Sequence, residues 1–207
     1  MRRIAYLALI LALVVQLAWQ IIAFNSIPHD MNFWFSWVVV AGFAIVVLTQ
    51  GRAAWASWAM RIALGLDFTA TTLDRYGVFG PYGTKGVNWG DFAHFFAYTH
   101  NVNAFLPGSF SPVLAYAANI CEIALAIALL LGVRSSLACL ASALLLLAYG
   151  SAMTISLGFT SQFPYAVFLL AAGMWYLANT DPSFLSLDQL FSRLSSSTRK
   201  DTARNAI

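Results

Sequence analysis

Apolar residues fall in long blocks separated by short polar links. Residues 4–24 run 21 positions without a charge. As a helix rising about 1.5 Å per residue, such a run crosses a hydrocarbon core of roughly 30 Å. Arg2 and Arg3 precede it, as they would a secretory signal. The run is longer than a signal's apolar stretch and no A-x-A-like cleavage site follows, so we read a retained helix, with a cleaved signal as the other reading. A polar link holding Pro28, His29 and Asp30 leads to a second span at 33–49, ended by Gly51 and Arg52. The third block, 53–73, contains Arg61 and Asp67. We set its span near 57–76. The alternative begins near Arg61, runs to about Phe79, and leaves Trp55 and Trp58 at the interface, where indoles are favoured.

The longest polar connection, 80–111, is an outer loop. Within it, 91–105 alternates Phe92, Phe95, Phe96 and Phe105 with His94, Tyr98 and Asn101, the pattern of an amphipathic helix at a membrane surface. Pro107 and Pro112 bracket its exit. Three more spans follow at 112–133, 137–157 and 163–178, the last with Pro164 in its first turn, where a missing N–H is harmless. After Asn179 the chain is polar, with an amphipathic stretch at 184–194 and then a serine-rich, basic end that we expect to be disordered. The fold class is therefore all-α: a polytopic membrane protein of about six transmembrane helices.

Composition agrees. Of 207 residues, 60% are hydrophobic and 9% charged, against about 25% charged in a soluble domain. That excludes a soluble enzyme, a disordered chain and a nucleic-acid binder. Six spans put both termini on one side. That side carries Arg2, Arg3, Arg52, Arg61, Arg134, Arg193, Arg199, Lys200 and Arg204, and the other only Arg75 and Lys85. The positive-inside bias makes the termini cytoplasmic, in a multi-pass protein of the cell membrane.

Few residues can carry chemistry. Glu122 lies about 15 Å inside its helix, where an acid costs roughly 2.5–3.5 kcal/mol and must find partners. Asn119 shares its face. Asp67, Thr71 and Asp74 line one face of the third span, with Asp67 near the depth of Glu122. Arg61 is either an interfacial anchor or the buried partner of Asp67 or Glu122. One arginine cannot neutralise two carboxylates, so one of them is expected to hold a proton. The alternative is a structural polar seam. His94 and His100 lie on different helix faces and lack the spacing of a zinc pair. With Asp91 and Tyr98 they are candidates for binding a headgroup-level ligand, or are plain interfacial residues; we expect no metal. Cys121 and Cys139 differ in depth by about 10 Å or more, too far for a disulfide.

Several short motifs resemble the DoxX-like family of small membrane proteins. They are Arg61-x-x-x-Gly65, Leu106-Pro107, Glu122 within Asn119-Ile-Cys-Glu-Ile-Ala, Leu131-Gly132-Val133-Arg134 and, more loosely, Gly83-x-Lys85. The resemblance covers about 61–178 and implies a four-helix membrane core at 51–178. An N-terminal hairpin at 1–50 would precede it, and a cytoplasmic polar tail at 179–207 would follow. It further implies a membrane subunit of a quinone-linked redox system, acting with an oxidoreductase partner and holding no intrinsic cofactor. The alternatives are an assembly scaffold without catalysis and a small proton-coupled transporter. Catalysis and oligomeric state are left open.

Overall fold

The computed structural model describes residues 1–26, 31–180 and 182–194, and among these every regular element is helical. Seven helices follow in order: α1 (Arg2–Ala23), α2 (Met31–Leu48), α3 (Ala54–Arg75), α4 (Phe92–Val102), α5 (Ser111–Leu131), α6 (Ser135–Leu157) and α7 (Val167–Ala178). Residues 187–194 form an eighth, α8. α1, α2, α5 (with the turn before it) and α6 are each long and apolar enough to cross a bilayer. α3, with 22 residues, matches them in length but carries Arg61, Asp67, Asp74 and Arg75. The crossings alternate in direction, so α1, α3 and α6 start at one end, here termed proximal, and α2, α5 and α7 finish there.

The sixth crossing differs from the expected helix at 163–178. A 3-10 segment, Phe159–Tyr165, contains Pro164, and α7 starts only at Val167. Ala166, at φ 51°, sits in the left-handed region and separates the two pieces. A non-glycine residue there costs about 1–2 kcal/mol and breaks an α-helix. Broken backbone at membrane depth must be satisfied by protein. Here Gln16 of α1, 1% exposed, donates to the Phe163 carbonyl at 2.8 Å. The Gln162 side-chain oxygen Oε1 accepts from the Phe168 N–H at 3.4 Å.

Close approaches join the helices. α1 packs on α7, α2 on α3 and the 3-10 segment, α3 on α5, and α6 on α7. Gly173 of α7 lies so near the Phe43 ring that an added Cβ would stand 2.0 Å from it. Small residues at such crossings are a common way for membrane helices to pack tightly.

At the proximal end the α5–α6 turn is built around Gly132, at φ 67°, which an Ala could not occupy without meeting Arg61 Nη1 at 2.2 Å. The chain beyond α7 folds back onto this turn. Asp188 accepts from the N–H groups of Arg134 and Ser135 at 2.8 and 2.6 Å, capping α6. Burial alone would push its carboxyl up, but these two N–H groups, with help from Arg61, hold it below the usual range. Residues 184–194 thus dock on the bundle, and the expected disordered end at 195–207 lies outside the described residues, as do His29 and Asp30.

Candidate functional site

α3 stops at Arg75, beside Asn119 of α5. Asn119 is eight residues into α5, so α3 ends about 12 Å short of α5's distal end. The connection 76–91 and α4 fill that gap. Asp74 holds them there, its carboxylate accepting from the backbone N–H groups of Asn88, Trp89 and Gly90 at 2.9–3.4 Å. Asp91 accepts from the His94 N–H at 2.8 Å and so caps α4. That N–H and the His94 ring hold the exposed Asp91 carboxyl below its ordinary range.

Folding the connection back places two aromatic rings on Arg75. Its guanidinium carbon lies 3.7 Å from the Phe95 ring centre and 5.1 Å from that of Trp89. On its other side Nη2 stands 2.7 Å from Glu122 Oε2, with both side chains 3% exposed. Nη1 donates to Asn119 Oδ1 at 3.4 Å, and Asn119 donates in turn to the Tyr76 hydroxyl. Glu122 also accepts from the hydroxyls of Tyr149, at 2.7 Å, and Thr71, at 3.2 Å. These bonds meet most of the lone pairs and protons that a buried ion pair leaves over, with the Arg75 Nε–H left without a partner among the described residues.

The cluster forms one wall of a cavity of about 480 Å³ between α3, α4, α5, α6 and the start of α7. Asp67, Asn88, Tyr98, Thr99, Asn103 and Tyr165 add polar groups to a mostly apolar lining. Small-molecule sites have this character and span about 300–1,000 Å³. Asp67 makes no hydrogen bond or ion pair among the described residues, and neither does the Tyr98 hydroxyl.

The structure thus joins Glu122, Asp67, Asn119 and Tyr98 from the sequence reading in one place. Arg61 is not with them. It is fourteen residues from Arg75 on the same helix, about 21 Å away. It lies at the proximal end, fully buried against Ser135 and residues 184–185 rather than exposed. Its guanidinium donates to Ser135 Oγ and to the carbonyls of Phe184 and Leu185. The histidines stay apart: His94 meets Asp91 and stacks on Tyr82 with ring centres 3.9 Å apart, whereas His100 pairs with Ser111 at 3.0 Å. No metal-binding group of His, Cys, Asp and Glu occurs among the described residues, and both cysteines are free thiols. Phe95 faces the cavity rather than lipid.

Arg75 and Tyr149 were missed. Arg75 falls at the outer end of the expected span 57–76 and was counted only as an outer-side charge; its position four residues after Thr71 was the available signal. Tyr149 sits in an apolar span and gave none.

No curated protein and no solved structure matches the chain. The profile of a family described as "Methylamine utilisation protein MauE" matches residues 53–164. That stretch, a little over half of the chain, runs from the start of α3 to the 3-10 segment and includes Asp67, Arg75, Asn119, Glu122 and Tyr149. The family identified is therefore this one rather than the DoxX-like family, and the chain is a multi-pass membrane protein belonging to the MauE family.

Proposed function

We propose that the chain is the membrane subunit of a redox system, and that the cavity beside the Arg75–Glu122 pair receives a quinone headgroup. The carrying observation is the cavity itself: apolar walls at membrane depth, with an unpaired carboxyl and an unpaired phenol facing it. The family's name supports a redox role, because using methylamine means oxidising its carbon–nitrogen unit, and the electrons need an acceptor.

The residues fit such a ligand. A quinone carbonyl needs a hydrogen-bond donor, and Tyr98, Asn88 and the Trp89 indole N–H are lining donors not spent among the described residues. When bound, a quinone supplies two-electron, two-proton carriage. Asp67 holds the proton exchanged at the cavity wall. Glu122 stays engaged with Arg75, Tyr149 and Thr71 and fixes the wall's shape. Trp89 and Phe95 exclude water from the distal side. The electrons come from a partner oxidoreductase. The arginine-rich proximal end is placed in the cytoplasm, by the positive-inside bias.

The test is purification from native membranes in mild detergent, with mass spectrometry for quinone and for co-purifying proteins. Near-stoichiometric quinone with an oxidoreductase is expected, and Asp67→Asn and Tyr98→Phe should each lower quinone retention several-fold. A protein with no quinone and no partner, whose tryptophan fluorescence is unmoved by added quinone, overturns the proposal. So does binding of methylammonium in place of quinone.

A further inference from the structure

A second cavity, also about 480 Å³, opens at the proximal end between the start of α1, the α2–α3 turn and the end of α7. It is lined by Arg2, Arg3, Tyr6, Gln50, Arg52 and Tyr176. Three guanidiniums converge on it, and no carboxylate lines it. Among the described residues the ion pairs are Arg75–Glu122 and His94–Asp91, so none of these three arginines has an acidic partner.

The floor is built rather than incidental. Tyr176 is 1% exposed, yet its hydroxyl has no hydrogen-bond partner among the described residues. A buried phenol ordinarily finds one. Its ring packs on Tyr6 at 5.5 Å, and Tyr6 is fixed by donating to the Val47 carbonyl at 2.9 Å. Gly51, at φ 71°, brings the turn against Tyr176; a Cβ there would stand 2.9 Å from the hydroxyl. Arg2 is oriented by its bond to the Gln50 carbonyl at 3.3 Å. The N–H groups of Gln50 and Gly51 are spent on α2 carbonyls and that of Arg52 on Thr49, so the donors left for a ligand are the guanidiniums, the Gln50 side-chain amide and the Tyr176 hydroxyl.

Three like charges around one hollow, with an idle buried donor at its base, call for an anion with several oxygens. Guanidinium forks match phosphate oxygens two at a time. The cavity also lies where the crossings end, the level of lipid phosphates, and basic pockets between membrane helices recognise anionic headgroups. We infer that this cavity binds the phosphate of an anionic phospholipid, gripped by Arg2, Arg3 and Arg52 and hydrogen-bonded at its base by Tyr176.

The test is native mass spectrometry of the full chain released from nanodiscs containing phosphatidylglycerol, cardiolipin or phosphatidylcholine alone. One anionic lipid should be retained by the wild type, and phosphatidylcholine should not. Tyr176→Phe removes only the hydroxyl, and Arg52→Lys keeps the charge but loses the fork. Each should weaken retention several-fold, and Arg2→Gln with Arg52→Gln tenfold or more. Because removing arginines can disturb insertion, the two conservative variants decide the matter if the double variant fails to accumulate. Retention of phosphatidylcholine to the same extent overturns the inference, as does unchanged retention in both conservative variants. Millimolar inorganic phosphate that binds and displaces no lipid would make this a free-anion site and overturn its assignment to lipid.

Discussion

The Arg75–Glu122 pair offers a quantitative test of how the site is held. Breaking a buried pair by removing one partner costs about 3–5 kcal/mol, whereas replacing both by uncharged groups is close to neutral. The surroundings make the two single changes unequal. In Arg75→Met, Glu122 keeps two hydroxyl donors, and a carboxyl can shed its charge by taking up a proton. In Glu122→Gln, Arg75 keeps the Phe95 face, worth about 2 kcal/mol when desolvated, but its charge cannot be lost. Glu122→Gln should therefore fall at the upper end of that range and Arg75→Met at the lower. The double variant should lose only about 1–2 kcal/mol, which implies a coupling of about 6 kcal/mol. Unfolding in mixed micelles of a mild detergent and dodecyl sulfate, followed by tryptophan fluorescence, measures all four corners. Coupling below about 0.5 kcal/mol, the level of independent sites, would refute the buried-pair account. So would Arg75→Met proving the costlier single change.

Other predictions follow from single contacts. Gln16→Leu removes one of the two donors to the Phe163 carbonyl, which keeps the Ala166 N–H, and should cost about 0.5–1.5 kcal/mol in the same unfolding assay. Gly173→Val drives side-chain atoms into the Phe43 ring and should cost about 1–3 kcal/mol; Phe43→Leu should restore part of it. Asp188→Ala should free 182–194, read as faster hydrogen exchange there while the exchange of α5 is unchanged. The same segment should be pH-sensitive in the wild type. The Asp188 carboxyl is depressed by folding, so its contribution is whole above an ordinary aspartate's value of about 3.9 and is lost as pH falls through its lower folded value. Exchange in 182–194 should therefore rise in acid well before the bundle unfolds. Asp91→Ala removes the α4 cap, worth about 1 kcal/mol, and should raise exchange at the N-terminus of α4.

Much of the fold was legible because bilayer crossing leaves a strong mark: long apolar runs between charged links. The six crossings, and the acids at positions 67 and 122, follow from it. The same signal is blind to what distinguishes an α-helix from a 3-10 segment of equal apolarity. Residues 159–166 therefore read as an ordinary link and helix start, although Pro164 and Ala166 set the break. It is also blind to long-range pairing. Arg61 looked like an anchor or an ion-pair partner because its acceptors, Phe184 and Leu185, lie more than 120 residues away in a tail of unremarkable composition. Arg75, at the end of the expected span, read only as an outer-side charge, because nothing in the local pattern shows that the fold covers it with Trp89 and Phe95.

The interrupted sixth crossing bears on how the protein is made. At 12 residues, α7 rises about 18 Å, too little to lodge in a membrane unaided. Its opened backbone is met by Gln16 of α1, which is made before α7. A later crossing thus finds its seat on an earlier one, and integration of α7 depends on α1 already being in place. A chain lacking α1 should integrate α6 yet leave α7 stranded outside the bilayer, exposed to membrane proteases.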